Sequence, residues 1–132
     1  MRLPPISLGD GLTVQDVFAG ASHVCAQFTD NRLKCWGEGN SGALGSGNNG
    51  DLGKTVSTMG NNLPFVDLGS NLSVKNLRSG SSRAMASCVI LNTGRVKYWG
   101  FNIYGGLGLG DVKNRGNDAN EMGNYLPIVN LK

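Results

Sequence analysis

The chain has 132 residues, 21 of them glycine, and only 16% of its side chains are charged. That length favours one domain with a modest core. So much glycine with so little charge points to an all-β fold rich in tight turns and away from a disordered chain. The net charge of +3 is too small to point to nucleic acid by itself. Residues 12–69 carry three basic and five acidic side chains, and residues 70–132 carry eight and three. The first half is therefore mildly acidic and the second basic. No stretch is long and apolar enough to cross a membrane, and MRLPPISLGDG lacks the apolar run of a secretory leader.

Along the chain, Leu3-Pro-Pro-Ile-Ser-Leu-Gly9 is a short apolar segment, with Pro4 near its start where a missing N–H costs little. Residues 12–20 (LTVQDVFAG) read as a strand in which Val14, Asp16 and Phe18 alternate with Gln15, Val17 and Ala19. Residues 24–28 and 33–36 flank Asp30-Asn31, a turn pair able to reach positive φ. A glycine-rich turn follows, Gly42-Ala-Leu-Gly-Ser-Gly47. The same order then returns. Leu63-Pro-Phe-Val-Asp-Leu-Gly69 repeats the first segment, and Leu72 to Gly80 (LSVKNLRSG) repeats residues 12–20. Cys88–Leu91 and Val96–Trp99 flank Asn92-Thr93-Gly94. Gly105-Gly-Leu-Gly-Leu-Gly110 repeats the turn, and Leu126-Pro-Ile-Val-Asn-Leu131 closes the series. The spacing grows from 60 to 63 residues, an insertion best placed at Arg83-Ala84-Met85. No window carries a helical apolar stripe.

The sharpest parts of the pattern are His23-Val-Cys25-Ala26, Lys34-Cys35-Trp36-Gly37 and the two Gly-x-Leu-Gly-x-Gly turns. In that order they resemble the repeat of the regulator of chromosome condensation family, over nearly the whole chain. The resemblance implies a propeller of four-stranded blades, usually seven. The expected architecture is all-β: two tandem four-stranded propeller blades, one over 12–69 and one over 70–132, with residues 1–11 as the trailing strand of a preceding repeat. Trp36, Trp99, Leu44 and Leu107 form the expected repeat core, the two tryptophans in equivalent, largely buried places. Phe18 against Arg78 is the awkward pair, placing Arg78 near a chain boundary or an open face.

Propellers have about 4 to 8 blades, so two repeats form an incomplete ring unless extended or oligomeric. Unpaired edges and apolar flanks promote association. The third copy of the leucine-proline segment suggests assembly strands, Leu3, Ile6 and Leu8 at one end and Leu126, Ile128 and Leu131 at the other. Either could complete a neighbouring blade by strand addition. The expected partners are copies of the chain, adjoining blades or other proteins.

Several motifs admit two readings. Cys25 and Cys35 lie on paired strands and form either a cross-strand disulfide or two small buried thiols. Extracellular members of the resembled family often carry such a pair, and pairing would imply an oxidising compartment. Asn71-Leu-Ser73 is a glycosylation sequon or a chance triplet. Both lean toward a secreted location, with an intracellular one as the alternative. His23 with the two cysteines lacks a fourth zinc ligand, and Gly37-Glu-Gly-Asn-Ser-Gly42 lacks the helix of a dinucleotide fingerprint. Asp111, Asp118, Asn120 and Glu121 form a calcium-like cluster or a solvated loop. No catalytic constellation, metal or cofactor is expected. The reading is a non-catalytic structural or protein-binding module, possible as an extracellular subunit assembling head to tail or as part of a longer array. The alternative is a regulatory propeller acting as a nucleotide-exchange factor or protein inhibitor.

Overall fold

The computed structural model describes residues 3–78 and 83–132. Gly80, the expected counterpart of Gly20, lies outside the described residues, as do the first two residues of the 1–11 segment. Two antiparallel sheets follow one another. The first contains β1 (Val14–Ala19), β2 (His23–Phe28) and β3 (Leu33–Gly37); the second contains β4 (Val74–Arg78), β5 (Ala86–Leu91) and β6 (Val96–Gly100). Each sheet is a meander, because its hairpin turns leave no room for a crossover. Asn31 takes φ 68 in the first hairpin, where an asparagine tolerates the left-handed region.

The two sheets share an irregularity. Val14 pairs with Phe28 but Asp16 with Gln27; likewise Val74 pairs with Leu91 but Asn76 with Ile90. This bulge breaks the simple alternation expected for β1. Directly opposed residues point to one side of a sheet. Val14 and Val17 therefore share a face with Phe28 and Ala26, while Phe18 lies on the other face with Cys25. An extra residue in the strand is enough to reverse the side on which Val14 emerges.

The fourth position of each blade is filled by the leucine-proline segment, reduced to a single contact point. Val66 N donates to Leu33 O at 2.8 Å, with an isolated bridge between Lys34 and Phe65. In the second blade Val129 N donates to Val96 O at 3.0 Å. Proline has no N–H to extend such a ladder, and the segment soon leaves the strand edge for the next blade. The three extra residues of the second unit lie between Arg78 and Met85. Met85 is not one of them: its carbonyl accepts from Phe101 N at 3.0 Å, as that of Ser22 accepts from Glu38 N at 2.8 Å.

The core runs between the sheets. Phe18, Cys25, Leu33, Cys35 and Leu44 of the first unit form one buried cluster with Val74, Leu77, Val89, Leu91 and Trp99 of the second. Two blades thus share one core, and each contributes only one face to it.

Candidate functional site

The joint between the blades shows what a blade face needs. On the first blade Phe18, His23, Cys25, Gln27, Leu33 and Cys35 are all buried. Polar groups in such a place require partners. His23 Nε2 lies 2.9 Å from Ser87 Oγ, and that hydroxyl donates to Ala43 O at 2.8 Å. The hydroxyl proton is thereby committed, so His23 donates from Nε2. Burial pushes the His23 pKa down, against a weaker upward pull from Glu38. Gln27 Nε2 donates to Val74 O at 3.1 Å. The indole of Trp99 enters the glycine-rich turn of the first blade and donates to Ala43 O at 3.1 Å. A Cβ on Gly45 would stand 2.9 Å from that indole nitrogen, and Gly45 has φ +65, so the turn needs glycine there on both counts.

A second device links the outer segments across the joint. Lys97 is buried, and its Nζ donates to Leu68 O at 2.8 Å and Gly123 O at 2.7 Å. Lys34 is buried too, and its Nζ donates to Leu8 O at 2.7 Å and Gly60 O at 3.0 Å. Desolvation lowers both lysine pKa values; Arg32 adds to the effect at Lys34, and Asp67 opposes it at Lys97. The middle leucine-proline segment thus pairs its front half with its own blade and hands its rear carbonyl to the lysine of the next; the first segment shows only the rear contact, at Lys34, and the last only the front one, at Val96. The flanking bonds repeat as well: Gly60 N to Ser7 O at 3.0 Å matches Gly123 N to Asp67 O at 2.9 Å. Asp10 N to Asn61 Oδ1 matches Ser70 N to Asn124 Oδ1, both 2.8 Å.

The exposure of equivalent leucines follows from this geometry. Leu63 and Leu126, whose own blades are present, are 1% and 2% exposed, whereas Leu3 is 83% exposed. At the rear of the segment Leu68 is 5% exposed against its next blade, Leu8 is half-buried, and Leu131 is 78% exposed. Among the described residues two faces are therefore open. One, on the first blade, carries exposed Val14 and Val17 with half-buried Val24 and Trp36. The other, on the second blade, carries exposed Arg78 with half-buried Ala86, Cys88, Ile90, Val96 and Tyr98. These are the candidate binding surfaces.

Trp36 differs from Trp99 in depth. It is equivalent to Trp99 in position, yet only half-buried, because no glycine-rich turn lies in front of it. Its indole N–H makes no hydrogen bond among the described residues. Leu44 and Leu107 are both buried, and Arg78 lies on the open face. Leu126 is buried and Ile128 half-buried, so the second blade already has its own outer segment, while Leu3 and Ile6 are bare. Cys25 and Cys35 form a disulfide, and Cys88 is a free thiol in register with Tyr98. Asn71 sits at an exposed turn with φ 59. The acidic loop does not converge. Asp111 pairs with Arg115 at 2.8 Å, and Glu121 Oε2 accepts the backbone N–H groups of Gly116, Asn117 and Asp118. The roles of Lys34, Lys97 and Ser87 at the joint were not foreseen from the sequence. The Lys-x-Trp spacing shared by both units was the available signal for the lysines; nothing local marks the serine.

These features define a class: consecutive blades of a β-propeller, each locked to the next through a tryptophan, a lysine and an outer segment. The family model for the regulator of chromosome condensation (RCC1) repeat matches residues 14–43. The chain is 33% identical over 109 residues to the ultraviolet-B receptor UVR8 of Arabidopsis thaliana, covering 82% of this chain and 22% of that protein. The fold is similar to that of Prp20p from Saccharomyces cerevisiae, with a TM-score of 0.62 at 19% identity, covering 95% of this chain and 27% of that one. It is likewise similar to human WBSCR16, with a TM-score of 0.60 at 20% identity, covering 93% and 28%. The chain therefore spans about a quarter of the length of these proteins or less. Its two units are repeats of the regulator of chromosome condensation type.

Proposed function

We propose that the chain is a non-catalytic, protein-binding section of a propeller whose two open faces dock further blades of the same repeat. What carries this reading is the contrast between Trp99, buried against Ala43 O, and its equivalent Trp36, half-buried with no acceptor for its N–H among the described residues. An apolar face with an unpaired donor in the place where the same chain elsewhere builds a joint calls for a second blade. The blade comes either from a longer array or from a copy of the chain that assembles head to tail into a ring or filament. The much greater length of the relatives favours the first source.

The one arrangement that looks catalytic is the Ser87–His23 pair. Ser87 is fully buried and its proton is engaged by a backbone carbonyl, so the pair works as a joint fastener. No cofactor enters this reading. The disulfide and the exposed sequon at Asn71 support a secreted location; a free thiol at Cys88 is compatible with an intracellular one. The study of Prp20p concerns its binding to Gsp1p and histones, which keeps a regulatory role, as exchange factor or inhibitor, as the rival reading. Light scattering over a concentration series tests the proposal. Growth in mass that is weakened by Trp36→Ala is expected. A folded monomer at every concentration, unchanged by added blades of this repeat type, would overturn it.

A further inference from the structure

Blades of a longer array are the favoured occupants, yet the two open faces also bear on whether a second copy can take their place, once they are laid on the internal joint. The equivalences are fixed by the repeat. On the second blade Arg78, Ala86, Cys88, Ile90 and Tyr98 stand where Phe18, His23, Cys25, Gln27 and Cys35 stand on the first. On the first blade Val14, Val17, Val24 and Trp36 stand where Val74, Leu77, Ser87 and Trp99 stand on the second. At the internal joint His23 bonds Ser87 at 2.9 Å. At the open faces both members have changed together, to Ala86 on one side and Val24 on the other. A donor opposite a valine, or a serine opposite an alanine, would leave a buried polar group without a partner; this chain has neither. The tryptophan is kept, and Gly106 offers it a backbone carbonyl where Ala43 serves Trp99. Gly106 is exposed, and no atom lies within 4 Å of the place a Cβ would take.

We infer that the two open faces fit each other, so that the second blade of one copy docks on the first blade of another, head to tail. This rests on the proposed binding of further blades. Charge supports the same order: the basic second unit of one copy meets the mildly acidic first unit of the next. The outer segments neither help nor hinder. Leu131 of one copy and Leu8 of the next claim the same Lys34, so what one segment gains the other loses. The drive comes from the sheet faces, with Trp36 entering the Gly105–Gly110 turn of its neighbour.

Cys88 supplies the test. Its equivalent, Cys25 Sγ, lies 3.7 Å from Ser87 Oγ, whose equivalent is Val24. In this chain Val24→Cys therefore places a thiol on one copy against Cys88 of the next. Mild oxidation followed by non-reducing electrophoresis is expected to turn the monomer band into a ladder of dimers, trimers and larger species. Wild type and Val24→Cys/Cys88→Ser should give no ladder. Val24 is half-exposed on an open face, so the change spares the core. Should the new thiol disturb the Cys25–Cys35 pair, wild-type fluorescence gives an independent measure: emission shifts to the blue with rising concentration, and Trp36→Phe abolishes the shift. Covalent dimers alone, present in wild type, would mean back-to-back contact through Cys88 and would overturn the inference. An oligomer by light scattering with neither ladder nor blue shift would overturn it too, leaving the binding of blades intact. A strict monomer would overturn the inference alone, and one that also ignores added blades of this repeat type would remove both.

Discussion

The indole nitrogen of Trp99 and the carbonyl of Ala43, 3.1 Å apart, join two blades whose strands never hydrogen-bond as one sheet. Ala43 O also accepts from Ser87, so one turn carbonyl collects two donors from the neighbouring blade. Trp99→Ala should destabilise the chain by about 4 kcal/mol, the usual range for an aromatic deleted from a core. Trp36→Ala should cost less than half as much in the monomer. Urea denaturation of both variants at low concentration checks the difference; equal losses would mean that the two sites do not differ in burial.

Lys97 and Lys34 hold the outer segments by donating to two carbonyls each. Lys97→Met keeps the stem but leaves Leu68 O and Gly123 O without that donor, an expected loss of about 2 to 3 kcal/mol. Lys75→Met, at an exposed site on β4, should stay within about 0.5 kcal/mol of wild type. Denaturation midpoints decide the matter, and proteolysis near Leu68 should quicken only in the first variant.

The Cys25–Cys35 bond ties β2 to β3 under the joint, and both residues are buried. Reduction, or a double change to alanine, should lower stability by about 2 to 3 kcal/mol. Burial should make the bond resist mild reductant in the native state, so thiol labelling under native conditions should report Cys88 alone.

His23 is held neutral by burial, with its pKa below the ordinary 6.5. The unfolded chain therefore takes up a proton before the folded one does. Stability contributed by the neutral histidine is complete above that value and declines as the pH falls below it. A denaturation series from pH 8 to pH 5 should show this decline. In His23→Gln it should flatten, while a slope that survives the substitution would assign the effect elsewhere.

Much of the architecture was legible in the residues. Repetition of the leucine-proline segment, the strand pairs around Asp30-Asn31 and Asn92-Thr93-Gly94, and the two glycine-rich turns determine an all-β chain of two like units. These are local signals: turn chemistry, alternation and spacing act within a few residues, so reading them needs no partner. The register that sets Cys25 against Cys35 follows from the hairpin in the same way.

What the tertiary structure decided is where each repeat meets the next. Sequence periodicity treats Trp36 and Trp99 alike, yet only one has a turn in front of it. It treats Leu3, Leu63 and Leu126 alike, yet burial depends on which blade lies beneath. The bulge that turns Val14 to the side of Val17, and the contact of Ser87 with a histidine 64 residues away, are likewise invisible to a local pattern. Burial belongs to pairs of surfaces, and a repeat names only one member of each pair.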